Sequence, residues 1–594
     1  MEQLVLVRNA CIGRTNNSLF TDHKFVPMNS IDWIILFVTL ALIVTYGTLK
    51  GRGSKNIDGY LLGNKSLPWW NVCLSIMATQ ASAITFLSTP GQAYEDGMRF
   101  LQFYFGLPLA MVILSVTAVP LYHKLKVYTA YEYLETRFDL KTRSLAAFLF
   151  LMLRGLSVGI TIYAPSLILS TILDWNINLT TLFIGSLVMI YTVSGGTKAV
   201  SMTQKYQLTI IMVGMIIAGL TAFYKLPKDI SFTEAFQVAG VMGKMNLVDV
   251  SFDLTERYNI WSGLIGGLFL FMAYFGADQS QVGRYLGGKS VAESRLGLLF
   301  NGLLKVPMQF IILYIGILVF VFYQFHQAPV FHNQSLKAKA MQTEYAGAIT
   351  DLEGDYDKVF TEKRIEAENL VDAIRQENPT LIEQTRKSLE SIQASEKEIR
   401  SKVKEQIATA LPGSNTLDKD YVFITFVMAY LPHGLIGLLM AVVFMAAMSS
   451  TASELNALAS TTTVDIYKRS IKKDGDDYHY VKSSKWFTAG WAIFGMLFAS
   501  IANQAENLIQ FVNIVGSLFY GTILGIFLSA FYLKYIKSNA IFIAAIVAEG
   551  VILYCYFFTN VAFLLYNIIG CLVVVMVAFV IQAIENQKTT KNPS

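Results

Sequence analysis

Apolar runs long enough to cross a lipid bilayer recur along nearly the whole of this 594-residue chain, and no other feature constrains its fold as strongly. A spanning helix needs about 20 predominantly apolar residues. Candidates fall at 31–49, 70–94, 100–122, 145–171, 177–195, 205–224, 258–280, 297–324, 432–464, 485–503, 506–533, 538–558 and 560–584, thirteen in all. Only 15% of the residues are charged, against about 25% in soluble domains. Inside hydrocarbon every backbone N–H and C=O must be satisfied within the protein, which makes such runs helices. The expected fold class is an all-α integral membrane protein embedded in the bilayer.

The net charge is small: 47 Lys and Arg against 42 Asp and Glu give +5, which offers no ground for a nucleic-acid partner. Where the cations lie is more informative, because Lys and Arg concentrate in cytoplasmic loops. The basic connectors are 49–55, 123–143, 284–295 and 467–485. All four fall on one side if the N-terminus is outside and the C-terminus inside. The four cysteines, Cys11, Cys73, Cys555 and Cys571, have neither redox nor zinc spacing. Residues 1–30 read as a polar extracytoplasmic tail without a signal-peptide pattern, and Met28 is an alternative start.

The expected organisation follows. Residues 31–330 hold spans one to eight, 418–584 hold spans nine to thirteen, and 585–594 form a cytoplasmic tail. Between them, 335–415 is polar, and nearly half of 351–405 is charged with both signs mixed. Pro379 divides this segment into two helical stretches, with apolar spacing at Leu381, Ile382, Leu389, Ile392, Ile399 and Val403. It reads as a helical hairpin on the outer face, either a solvated insertion or an arm that docks a partner.

The second and seventh spans carry polar breaks, MATQASAITFLSTPG at 77–91 and AYFGADQSQ at 273–281. Transporters built from inverted repeats bind their cargo where paired helices unwind and free carbonyls. Spans two and seven open two consecutive five-helix sets, which is the spacing of a five-plus-five inverted repeat. The ninth span contains adjacent hydroxyls at Ser449 and Ser450. These suit a hard cation that prefers oxygen ligands, or they bond the carbonyl four residues back.

Arg154 lies roughly 15 Å into its span, near the midplane. An arginine there normally faces an internal cavity and has a partner. Gln80, Ser82, Thr85 and Gln102 on the second and third spans are neutral, so the partner is a substrate anion, a buried carbonyl or an acid from another helix. Lys205, at the cytoplasmic start of the sixth span, reads as a snorkelling lysine.

Several blocks together resemble the sodium:solute symporter family, which includes sodium/glucose, sodium/iodide, sodium-dependent multivitamin and bacterial sialic acid cotransporters. They are GYLLGNKSLPWW at 59–70, SAITFLSTPGQAYEDG at 82–97, IYAPSLILS at 162–170, GGTKAV at 195–200, DQSQVGRYLGGKS at 278–290 and AAMSSTASELNALASTTTVDIYK at 446–468. The resemblance implies a LeuT-type inverted repeat, alternating access and sodium as the co-transported ion. It implies a sodium site from the carbonyls of Ala78, Ala81 and Ala446 with the hydroxyls of Ser449 and Ser450. Tyr274 falls where sugar-transporting members have an inner-gate tyrosine, and Asn513 where they have a glutamine on the substrate. Ile84 and Thr85 replace the Glu and Gln of the sugar carriers. Ser82, Thr85 and Arg154 resemble the carboxylate-contacting set of the sialic acid carriers.

One departure bears on coupling. Many members have W-T-D at the start of the sixth span, whose acid supports sodium; here Met202, Thr203 and Gln204 stand there, followed by Lys205. A second sodium that relies on that acid is not expected. The chain carries neither an HExxH nor a GxSxG motif, and its six histidines are scattered, so an enzyme is not expected either. The expected function is sodium-coupled import of a small organic solute, a carboxylate of the sialic acid or monocarboxylate type. Sugars or polyols, and a sodium-independent facilitator of the same fold, are the alternatives. The absence of long eukaryotic-style loops points to a bacterial inner membrane, and a monomer is compatible with everything above.

Overall fold

A computed structural model describes residues 28–51, 57–62, 65–173, 175–253, 255–500 and 508–591. Most of the expected 1–30 tail, part of the 49–55 connector and the end of the 585–594 tail lie outside these residues. The described chain is helical, with no strand among the described residues and one isolated bridge between Leu67 and Gly288.

The helices that frame the interior are α1 (Ser30–Gly51), α2 (Trp69–Gln80), α3 (Ala83–Asp96), α4 (Leu107–Val116) and α5 (Leu140–Leu173). They continue with α6 (Ile177–Tyr224), α7 (Gly267–Gly276), α8 (Gln279–Leu286) and α9 (Val291–Phe325). After the insertion come α12 (Leu435–Thr461), α13 (Asp477–Ala499), α14 (Leu508–Tyr532), α15 (Ser538–Phe558) and α16 (Phe563–Lys591). The insertion itself is α10 (Ala346–Arg375) and α11 (Pro379–Ala410).

Among the described residues ten helices are long and apolar enough to cross a membrane, against thirteen runs in the sequence. The shortfall has physical causes. The second run is cut in two, and its outer half continues through the third run as one stretch, Ala83–Leu125. The seventh is a short apolar helix, Ser262–Gly276. The tenth, α13, begins with DYHYVKSSK and so is polar over its first turns.

α6 carries 48 residues in one helical element, yet it turns back on itself. The hydroxyl of Tyr191 lies 2.9 Å from that of Thr203. Twelve residues of straight helix would hold the two apart by about 18 Å. The fifth and sixth runs are therefore neighbours.

Both predicted breaks are present. α2 ends at Gln80, Ala81 and Ser82 leave the helical conformation, and α3 starts at Ala83. The Met77 carbonyl is taken by the Ala81 N–H and that of Gln80 by the Thr85 hydroxyl. Among the described residues this leaves the carbonyls of Ala78 and Thr79 without the helical partners they would otherwise have. The second break lies at Ala277 and Asp278, and Asp278 caps α8 by accepting from the Ser280 N–H at 2.8 Å.

α12 is buried along almost its full length. Small residues at 446, 447, 452, 457 and 459 let the surrounding helices approach closely. At the edge of the bundle Asp32 anchors α1 to the start of α12 by accepting from the N–H groups of Gly434 and Gly437.

α10 and α11 pack along each other and fold back against the bundle. Asn378 caps α11, and Pro379 opens it. Leu389 and Val403 are buried between the helices. Lys363 pairs with Glu396 at 2.7 Å, Arg400 and Lys404 with Asp418 at 3.0 and 2.6 Å, and Arg375 with Glu234 at 2.6 Å.

Candidate functional site

A cavity of about 110 Å³ opens where the breaks in α2–α3 and α7–α8 face α5, α12 and α14. Gln80, Ser82, Thr85, Arg154, Tyr274, Asn513 and Ser450 all line it. Residues from five distant stretches of sequence are thus brought to one place. Gln102 is not among them. Its amide donates to the Tyr258 carbonyl at 3.0 Å, and its oxygen accepts from the Asp249 N–H at 3.0 Å. It secures the segment before the seventh run, and its expected place at the solute is corrected accordingly.

Of the three partners open to Arg154, the structure supplies acids from other elements. Its Nε donates to Asp278 Oδ2 at 2.6 Å, and Nη1 donates to Glu454 Oε1 at 2.7 Å. Nη1 also reaches Ser157 Oγ at 3.4 Å, and Nη2 donates to the Tyr520 hydroxyl at 2.7 Å. Four of the five N–H donors of a guanidinium are engaged by these contacts. The guanidinium lies 5.1 Å over the Tyr274 ring. Tyr274 in turn accepts from Gln281 at 2.7 Å, so it is fixed from both sides. The arginine joins α5, α12, α14 and the α7–α8 break below the cavity.

The five residues of the expected sodium set are all buried: Ala78, Ala81, Ala446, Ser449 and Ser450. The two serines differ. The Ser450 hydroxyl donates to the Ala446 carbonyl at 3.0 Å, the ordinary one-turn bond. The Ser449 hydroxyl is buried with no partner among the described residues. Thr79 and Ser453, whose hydroxyls lie 3.3 Å apart, tie α2 to α12 beside it. α12 packs against α2, which carries the freed carbonyls, and an alkali cation takes neutral oxygens of both kinds.

The sodium:solute symporter family model matches residues 60–348 and 403–548. The chain belongs to the sodium:solute symporter family. The internal stretch between the two matched segments, 349–402, is most of the α10–α11 hairpin. The symporter is 26% identical to the sodium/sialic acid symporter of Proteus mirabilis over 92% of its own length and 93% of that protein. It is 29% identical to sodium-coupled monocarboxylate transporter 1 of Xenopus laevis over 47% of its length and 44% of that protein. A solved structure of a Na⁺-coupled sialic acid symporter in a substrate-bound outward-open state superposes with a TM-score of 0.72. That match covers 94% of this chain and 98% of the other at 23% identity, and it shows a shared LeuT-like fold. The symporter is a multi-pass membrane transporter, with sodium as its co-transported ion.

Gln204 of the symporter sits between α2 and α12. Its amide donates to Thr79 at 3.1 Å and Ser453 at 2.9 Å, while its oxygen accepts from Ser75. The donor face of an amide thus occupies a place where a carboxylate would offer only acceptors. Lys205 turns away from it and lies over the rings of Trp70 and Tyr206 at 5.1 and 4.6 Å.

Four residues of the site had no role in the sequence pattern: Asp278, Glu454, Tyr520 and Lys305. Glu454 is the single acid in α12, and an acid within a span is itself a functional signal. Lys305 is a mid-span lysine, 1% exposed, with its amine unpartnered and 5.6 Å over the Tyr104 ring that lines the cavity. Asp278, inside the seventh run, gave the same signal, whereas Tyr520 gave none, because its role depends on which helices meet.

Proposed function

We propose that the symporter imports a small organic anion, a carboxylate of the sialic acid or monocarboxylate type, together with one sodium ion. Relatives named for sialic acid and for monocarboxylates support the substrate class. The observation that carries the coupling is the buried Ser449 hydroxyl, unpartnered among the described residues, on the part of α12 where its neighbour Ser450 lines the cavity and α12 packs against α2. Sodium is held by the carbonyls of Ala78, Ala81 and Ala446 with the hydroxyls of Ser449 and Ser450. Gln80, Ser82, Thr85 and Asn513 contact the solute, with Tyr274 beneath it. Arg154 contributes the N–H that its acidic partners leave.

Thirteen spans, with spans two to six and seven to eleven as inverted five-helix repeats, rock about this site. The N-terminus lies outside and the C-terminus in the cytoplasm of a bacterial inner membrane, and the monomer is the working unit. Residues 335–415 form an outer insertion that takes no part in transport. Gln204 removes the carboxylate on which a second sodium would rely. One sodium moving down 100 mV supplies about 2.3 kcal/mol, enough to accumulate a neutral solute about fiftyfold. With a monoanion the pair is electroneutral, and the sodium gradient alone drives uptake.

The test is thermal stabilisation of the purified protein by N-acetylneuraminate, lactate, glucose and biotin, each in sodium and in potassium. A carboxylate that stabilises only in sodium supports the proposal. Equal stabilisation in both salts, or stabilisation by glucose alone, contradicts it.

A further inference from the structure

One guanidinium set against two carboxylates leaves the Arg154–Asp278–Glu454 cluster with a net charge of −1. The groups facing Glu454 are Arg154 Nη1 at 2.7 Å, Ser157 Oγ at 3.1 Å and Thr161 Oγ1 at 3.1 Å. All three are able to donate, which suits an ionised carboxylate. Tyr520 donates to Asp278 at 2.7 Å and carries no charge. Among the cavity-lining residues Arg154 is the only cation and Glu454 the only acid. A buried charge without a counterion is costly, so the cluster calls for a cation close by.

A place for it lies along α12, a turn from Glu454. Glu454 follows Ser450 by four residues on α12, which puts it on the same face about 6 Å further along the helix. The Ser449 hydroxyl there is buried and unpartnered. Gln204, which is also directed between α2 and α12, is an amide and supplies no charge. We infer that Glu454 sets the affinity of the sodium site through its charge, as a positioning residue rather than a ligand. The inference rests on the sodium site proposed above. A unit charge about 8 Å away, at an effective dielectric constant near 20, changes the binding of a monovalent ion on the order of tenfold or more.

The experiment titrates sodium chloride into the full-length protein in detergent, with choline chloride holding ionic strength, and follows the thermal midpoint. Glu454→Gln leaves Arg154 in a one-to-one pair with Asp278 and is expected to fold. Its half-stabilising sodium concentration should rise about tenfold. Asp278→Asn removes the same charge from another helix while keeping an acceptor for the Ser280 cap, and should shift the titration in the same direction. Glu454→Asp should return to within about threefold of wild type. Charge-removing variants that titrate like wild type overturn the inference. A loss that Glu454→Asp does not recover assigns the effect to packing and overturns it too. A wild type indifferent to sodium overturns the sodium site itself, and this inference with it.

Discussion

Arg154 and Asp278 form an ion pair of 2.6 Å in which the two side chains are 6% and 0% exposed, and it crosses from the middle of α5 to the break between α7 and α8. Asp278 uses its two oxygens separately. Oδ1 caps α8 through Ser280, and Oδ2 receives Arg154 and Tyr520. The break in the seventh run is therefore both a helix start and an electrostatic junction.

Removing the arginine should be severe. Arg154→Ala leaves two buried carboxylates facing each other without their cation, a loss of about 3–5 kcal/mol. Arg154→Lys should recover little, because a single ammonium cannot reproduce a fork that reaches Asp278, Glu454 and Tyr520 from three nitrogens. Thermal unfolding in detergent checks both, and a lysine variant as stable as wild type would contradict the geometry.

Gln102 and Thr85 should separate cleanly. Gln102→Ala removes one buried and one part-buried hydrogen bond to the backbone at Tyr258 and Asp249, at a cost of about 1–3 kcal/mol in stability. Its half-saturation for solute should be unchanged. Thr85→Val, facing the cavity, should raise half-saturation at least severalfold. Uptake kinetics together with melting curves measure both effects.

Gln204→Asp restores a carboxylate between α2 and α12. Uptake by the wild type should depend on sodium with a Hill coefficient near one, and in the variant the coefficient should rise above one. An unchanged coefficient would mean that the surrounding hydroxyls of Thr79 and Ser453 do not complete a second cation site.

Asp418 holds the insertion to the bundle. Burial works against its ionisation, but Arg400, His332 and Lys404 together keep its carboxyl well below the usual range. A lowered folded-state value means that the stabilisation is fully present above the ordinary carboxylate range and is lost only in strong acid. Docking of α10–α11 should thus be independent of pH between 5 and 8, as read by limited proteolysis. Asp418→Asn leaves Arg400 without its buried partner and should cost about 3–5 kcal/mol, seen as early cleavage in the hairpin.

The sequence made the membrane class legible because span length and apolar composition follow from the bilayer alone. It also located both helix breaks, since small polar residues and Gly–Ala–Asp interrupt otherwise apolar runs at 77–91 and 273–281. Six of the seven expected solute residues meet in one cavity for the same reason: the breaks decide where helices leave room. The partner of Arg154 was not legible. Asp278 and Glu454 lie 124 and 300 residues away in the chain, and only the packing of α5 against α12, with the α7–α8 break beside them, brings them together. Gln102 was misjudged on similar grounds, because a neutral side chain at the start of one run gives no sign of the segment that folds over it. The Ser449–Ser450 pair left two readings open, and the structure gives one to each serine: a satisfied hydroxyl at 450 and an unpartnered one at 449.

The most direct test of coupled transport is uptake of a radiolabelled carboxylate, N-acetylneuraminate or lactate, into proteoliposomes under an inward sodium gradient. The comparison is with an equal potassium gradient, for wild type and Ser449→Ala. Uptake that needs the sodium gradient, with the sodium requirement raised at least tenfold by Ser449→Ala, is the predicted result. Equal uptake in potassium, or an unchanged sodium requirement in Ser449→Ala, would contradict sodium coupling at this site.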